Sequence, residues 1–318
     1  MKTKIVYVAV SNNKCIYLEQ ACVSAWSVRY FNPTAEIILI VDTETNDYIK
    51  EYKSVKIADL FDEIIVVSFA KKYSNFEKSR LLKTGLPKYI EGRFLFVDSD
   101  TVICGSLGDL DEVECTIGMV ADCHYETLAD HPMKQIIRDR TKRLFGVCAD
   151  DMSTYYNSGV ILSDGSWQSK EFFSTWNKLW QSVSTKPHGR FDQVSLYPIT
   201  LQEQKRVQEI SGVYNTQIVE SVKYLATAKI LHFFNYSPEA EAIHPFFGNQ
   251  FYQRVKTYGL TQAIQKDILN VKQLFNTPSK PVGKSTIKIL NTPGITVIAK
   301  YIPHRLLRRI SGLLKKVH

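Results

Sequence analysis

Asp98 and Asp100 stand two residues apart, directly after the apolar run Phe94-Leu95-Phe96-Val97. Two carboxylates held that close repel, and both stay charged only where a cation joins them; otherwise one takes up a proton. Oxygen ligands of this kind suit Mg²⁺ or Mn²⁺, which also grip phosphate oxygens. The pair therefore points to a metal–diphosphate site. The strand before the carboxylates fixes where they point. A continuous apolar run bounded by Gly92 and Asp98 predicts a central strand covered on both faces. In open α/β sheets, ligands bind at the carboxyl ends of such strands. A solvated turn is the plainer alternative, since Asp is common after strands.

The elements that position this pair follow from periodicity. Residues 5–10, 36–41, 63–67 and 94–97 read as strands, and 17–30, 47–58 and 75–89 as helices, with Asn75 as N-cap of the third. Strands alternating with helices predict a parallel α/β sheet in the first hundred residues. Beyond Asp100, residues 116–121, 156–162 and 229–234 read as strands and 167–183 as an aromatic-rich helix, while 122–151 reads as irregular and polar. Phe172, Phe173, Trp176 and Trp180 have helical spacing and are expected in the core.

Charge divides the chain. Residues 268–318 hold ten Lys or Arg and no Asp or Glu, whereas the preceding residues hold 30 basic against 32 acidic. The net +8 thus describes the tail, and nucleic-acid binding by the body is not expected. Pro and Gly between 278 and 294 mark a linker. Ile298, Ile302, Leu306, Ile310, Leu313, Leu314 and Val317 then recur every three or four residues among Lys and Arg. That is the pattern of a basic amphipathic helix for an anionic membrane surface. The expected division is 1–267 as catalytic domain, with halves of about 1–120 and 121–267, and 268–318 as linker and tail. No apolar run reaches the roughly 18 residues of a membrane span, and the first apolar segment reads as a strand and not as a signal peptide. The six cysteines show no C-x-x-C spacing and read as buried free thiols, which suits a cytoplasmic chain.

Three further signals could complete a site. Asn157-Ser158-Gly159 interrupts an apolar segment, and a glycine there permits close approach of a ligand. Asp192-Gln193 follows Gly189-Arg190-Phe191. His232 lies inside Ile230-Leu231-His232-Phe233-Phe234; it is either a core histidine or the third ligand of a two-carboxylate metal site. Asp98-Ser99-Asp100-Thr101-Val102 also fits the signature of haloacid dehalogenase-like phosphatases, with Asp98 as nucleophile.

The order of these motifs, with Ser79-Arg80-Leu81 before the carboxylate strand, resembles the family 8-type retaining glycosyltransferases over roughly residues 4–236. The resemblance implies a GT-A fold: a Rossmann-like mixed α/β sheet flanked by helices. It implies that Asp98, Asp100 and His232 ligate Mn²⁺ or Mg²⁺, which bridges the diphosphate of a UDP-sugar donor. Ser11 and Asn12 would lie near the base, Arg80 and Ser99 along the donor, and Asn157, Asp192 and Gln193 at the sugar, the last two as catalytic candidates. The stretch 122–151 would cover the acceptor. After His232 the chain departs from the family pattern, because no Gly and Lys follow to grip the diphosphate; Lys78 or Lys83 would substitute. The expectation is a cytoplasmic, peripheral-membrane hexosyltransferase acting on a glycan or lipid-linked acceptor in surface-polysaccharide assembly. A phosphatase and a non-catalytic nucleotide-sugar binder are the rival readings.

Overall fold

In a computed structural model of the chain, which describes residues 1–218, 223–234 and 244–272, four parallel strands form one half of the main sheet. These are β1 (Lys4–Ala9), β2 (Ile37–Asp42), β3 (Glu63–Val67) and β4 (Phe94–Val97). A short strand, β5 (Thr101–Ile103), follows and joins a second sheet. The main sheet continues through β6 (Ile117–Ala121), β7 (Tyr156–Ser163) and β8 (Val207–Glu209) in the order β3-β2-β1-β4-β7-β6-β8. β7 runs antiparallel to both β4 and β6, so the sheet is mixed, with β4 and β7 at its junction. Phe94 pairs with Ser163 and Val97 with Val160, which brings Asn157-Ser158-Gly159 beside the end of β4.

Every residue of β4 is buried, and its side chains alternate between two cores. Leu95 and Val97 pack with the face covered by α1 (Tyr17–Phe31), and Phe94 and Phe96 pack with Phe172, Phe173 and Trp176 on the other. A strand sandwiched in this way has no polar face, which is why its sequence is continuously apolar. The aromatic cluster lies on α5 (Trp167–Val183) and is core, as expected.

The second sheet is small and decisive for the site. Its order is β5-β10-β9, with β9 (Thr216–Gln217) and β10 (Ile230–His232). His232 pairs with Thr101 in β5, and the Phe233 N–H donates to the Asp100 carbonyl at 2.8 Å. Backbone pairing thus carries the histidine to the two aspartates across more than 130 residues of chain.

Several boundaries differ from the sequence reading. α2 spans Thr43–Glu51, because Asp42 caps it by accepting from Thr45 N–H. α3 spans Asn75–Thr84 and is capped by Ser74, not Asn75. Ser74 and Glu77 exchange side-chain-to-backbone hydrogen bonds as a capping box, and the helix stops at Gly85. Within 122–151, residues Lys134–Phe145 form α4, whose thin buried stripe of Ile137, Thr141 and Leu144 hid it. The free cysteines are not all buried: Cys22 is, Cys148 is exposed, and the other four are half-buried. The tail that reads as an amphipathic helix, and the linker before it, lie outside the described residues, as do residues 235–243 after His232. Among the described residues, no helix is long and apolar enough to cross a membrane.

Candidate active site

Asp98, Asp100 and His232 come together at the end of β4, each offering one ligand atom within 4.8 Å of the others. His232 is buried, and its Nε2 has no hydrogen-bond partner among the described residues. That nitrogen lies 3.2 Å from Asp100 Oδ1 without the alignment of a hydrogen bond. A buried polar atom without a partner is costly in a folded chain unless something fills the position. Desolvation pushes the Asp98 carboxyl above its usual range; Lys83 opposes the shift and Asp100 adds to it. Two oxygen donors and one imidazole facing a shared point fit a divalent cation, and the imidazole suits Mn²⁺ better than Mg²⁺.

Asp192 and Gln193 open helix α6 (Asp192–Gln202). The indole of Trp176 donates to the Asp192 carbonyl at 3.0 Å and that of Trp180 to the Arg190 carbonyl at 2.9 Å. The aromatic helix therefore also fixes the start of α6. Burial would raise the Asp192 carboxyl, but Lys83, Arg80 and a hydrogen bond from Ser158 outweigh it and hold the group well below the usual range. Arg80 Nε lies 2.9 Å from Asp192 Oδ1, and its guanidinium rests over the Phe76 ring. Arg80 is thus drawn to the site and not paired with Glu77, which caps α3.

Lys83 was not among the expected site residues except as a phosphate anchor. Its side chain is 4% exposed, and its Nζ lies 3.1 Å from both Asp98 oxygens, 3.0 Å from Asp192 and 3.3 Å from Ser158 Oγ. It is a buried ammonium joining the carboxylate of Asp98 to that of Asp192 on α6. Lys78 is buried against Asp42, at 2.8 Å, and reaches Glu44. Both lysines engage carboxylates.

A second polar group lies beyond Gln193. Asp122 accepts from Asn157 Nδ2 at 2.9 Å, from His131 Nε2 at 3.0 Å and from the Gln193 side chain. Burial raises its carboxyl, and these donors reverse the shift and keep it low. Asp122, Cys123 and His131 are close enough to suggest a second metal site. However, His131 Nδ1 accepts from Met133 N–H, so Nε2 carries a proton toward Asp122 and not a lone pair toward a metal. Asp122 was missed because nothing in its neighbourhood predicts contacts with residues 35 and 71 positions away.

After β1, the Ser11 hydroxyl accepts from Leu18 N–H and contacts the Cys15 thiol, and its backbone pairs with Thr45. Ser11 shapes the turn, whereas Asn12 beside it is half-buried. Ser99 is half-buried in the turn between the two aspartates.

Comparison with known proteins agrees with this geometry. Residues 6–237 match the family described as "Glycosyl transferase family 8", well over half of the chain. Among solved structures, the galactosyltransferase LgtC, crystallised with donor and acceptor sugar analogues, is similar with a TM-score of 0.52 at 15% identity; the match covers 83% of this chain and 100% of that one. The bifunctional glycosyltransferase WbbM, in its apo form, is similar with a TM-score of 0.53 at 12% identity, covering 83% of this chain. This chain spans about half of WbbM, 51% of its length. The glycosyltransferase GlyE of Streptococcus pneumoniae TIGR4 gives a TM-score of 0.48 at 17% identity, covering 87% of this chain and 66% of that one. No curated protein matches the chain. The structural likenesses identify the fold as GT-A: a mixed sheet flanked by helices.

Proposed function

The chain belongs to glycosyl transferase family 8, and from that membership we propose that it moves a hexose from a UDP-sugar to a glycan or lipid-linked acceptor, with retention of configuration, using a divalent metal. That it is a glycosyltransferase follows from the family; the sugar, the metal, the stereochemistry and the acceptor belong to this proposal. The observation that carries it is the buried, unpartnered Nε2 of His232 facing Asp98 and Asp100.

Asp98, Asp100 and His232 would hold Mn²⁺ or Mg²⁺, which when bound supplies Lewis-acid neutralisation of the departing nucleoside diphosphate. The protein's own side chains do the rest. Asn12, Ser99 and the turn shaped by Ser11 line the nucleotide end. Arg80, held by Asp192 and the Phe76 ring, presents positive charge to the donor. Asn157 and Asp122 offer polar atoms to sugar hydroxyls. The sugar carbon becomes cationic as the leaving group departs, and nearby oxygens stabilise it. Asp192 contributes a fixed negative charge; its ties to Lys83, Arg80 and Ser158 make it a brace and not an attacking group. Gln193 gives its amide nitrogen to Asp122 and keeps its carbonyl oxygen for the sugar carbon.

The missing Gly and Lys after His232 remain a real departure, and Lys83 is buried under the carboxylates. Diphosphate charge would then fall mainly on the metal and Arg80, so the enzyme should depend steeply on metal. The 1–120 half would bind the donor and 121–267 the acceptor. The basic amphipathic pattern of 298–318 supports docking on an anionic membrane from the cytoplasmic side, where lipid-linked acceptors of surface-polysaccharide assembly are presented. The family match displaces the phosphatase reading. Metal-dependent UDP binding that Asp100→Ala abolishes tests the proposal; binding without any turnover of UDP-sugars would favour the non-catalytic reading.

A further inference from the structure

His232 is held from behind by a chain of hydrogen bonds whose direction is fully determined. It starts at Asp122, a carboxylate that only accepts. Asn157 therefore turns its Nδ2 to Asp122, at 2.9 Å, and its Oδ1 inward. The Gly159 N–H donates to that same Oδ1 at 2.9 Å, which fixes the amide a second time. Asn215, fully buried, must then turn its Nδ2 toward Asn157 Oδ1, at 2.9 Å, and its own Oδ1 toward His232. His232 Nδ1 lies 3.0 Å from Asn215 Oδ1. Facing an acceptor, Nδ1 carries the proton, and Nε2 is left with a lone pair aimed at Asp98 and Asp100.

We infer that Asn215 is a positioning residue that fixes His232 in the Nδ1–H tautomer, so that Nε2 is a ready metal ligand. The inference deepens the proposed function and rests on its assignment of His232 to the metal. Without the relay nothing would hold the proton on Nδ1, and a proton on Nε2, attracted by the Asp100 carboxylate 3.2 Å away, would close the site. Metal-ligating histidines commonly give their second N–H to a carboxylate or carbonyl. Here the carboxylate is reached through two amides, and it is the same Asp122 that receives the Gln193 amide. Gln193 and His232 thus share one hydrogen-bonded chain through Asp122. Gly159 makes the chain possible, since a Cβ there would stand 2.8 Å from His232 Nδ1 and 3.0 Å from Asn157 Oδ1.

The test is ¹⁵N NMR of histidine-labelled, metal-free, full-length protein at about pH 8, above the usual histidine range, with His232→Gln to assign the signal. The expected result is a proton on Nδ1 and a lone pair on Nε2. Asn215→Leu should move the proton to Nε2 and weaken Mn²⁺ binding by about 10- to 100-fold. Asn215→Asp keeps an acceptor facing Nδ1, although it loses the donor to Asn157, and should keep the proton on Nδ1. A proton on Nε2 in the wild-type protein would overturn the inference, whether or not the variants fold. So would Asn215→Leu that folds and keeps both tautomer and affinity. A wild-type Nδ1–H tautomer with no Mn²⁺ binding would uphold the relay and remove the metal reading instead.

Discussion

The space beside Gly159 belongs to His232: a Cβ on that glycine would lie 2.1 Å from His232 Cε1. The ring is also tied through Nδ1 to Asn215, at 3.0 Å, and cannot shift without breaking that bond. Gly159→Ala should therefore displace the ring, costing about 1–3 kcal/mol of stability as overpacking and most of the Mn²⁺ affinity. Urea unfolding and Mn²⁺ titration of the same preparation check both. Loss of stability with unchanged Mn²⁺ binding would mean that His232 is no ligand.

Lys83 Nζ lies 3.1 Å from both Asp98 oxygens, and its removal separates structural from metal charge. Lys83→Met leaves Asp98 and Asp192 facing each other across an apolar side chain. Breaking a buried ion pair costs about 3–5 kcal/mol, so the metal-free melting temperature should fall by many degrees. Mn²⁺ should then raise the melting temperature of the variant more than that of wild type, because it neutralises Asp98 in place of the ammonium. Equal Mn²⁺ shifts in the two proteins would contradict this.

Acid sensitivity should trace to His124. Desolvation lowers its pKa to about 4, with Lys223 adding to the shift and Asp122 opposing it, and its Nε2 accepts from Gln217 N–H. In the unfolded chain it titrates near its usual 6.5. Between these values the unfolded state binds the extra proton, so stability is present above about pH 6.5 and falls as the pH drops toward 4, by on the order of 3 kcal/mol. Asp62 and Asp122, whose carboxyls are held low, titrate below this window. His124 has a φ of 62°, a conformation that asparagine tolerates. His124→Asn should flatten the melting-temperature profile between about pH 4 and 6.5; an unchanged slope would assign it to another group.

The sequence carried the parts of the fold whose signals are local. β4 and α5 have the ends read from pattern alone, because a fully apolar run and an aromatic stripe at helical spacing have few other solutions. The capping box of Ser74 and Glu77 is a local signal too, and it places the N-cap one residue before the expected Asn75. The meeting of Asp98, Asp100 and His232 was expected from the motif order, yet the buried links around them were not. Lys83 shares a helix with Arg80 and looks like any surface lysine until β4 and α6 close over it. Asn215 sits in Gly212-Val213-Tyr214-Asn215, which signals nothing by itself. Strand order was equally hidden, since pairing β4 with β7 antiparallel depends on contacts more than 60 residues apart.

If the tail docks the enzyme, full-length protein should sediment with vesicles containing phosphatidylglycerol and not with neutral phosphatidylcholine vesicles. A chain ending at Lys272 should stay in the supernatant at physiological salt. High salt should weaken binding of the full chain, as expected for Lys and Arg on an anionic surface. Binding by the truncated chain would place the contact elsewhere.

The most direct test of the account is the melting temperature of the full-length protein with UDP, with Mn²⁺ and with both, in wild type and Asp100→Ala. A ligand that binds only the native state raises its melting temperature by mass action. The account predicts a clear rise with UDP that requires Mn²⁺ and disappears in Asp100→Ala. A UDP shift indifferent to Mn²⁺ and to Asp100, or no shift under any condition, would contradict a metal-bridged donor site at Asp98, Asp100 and His232.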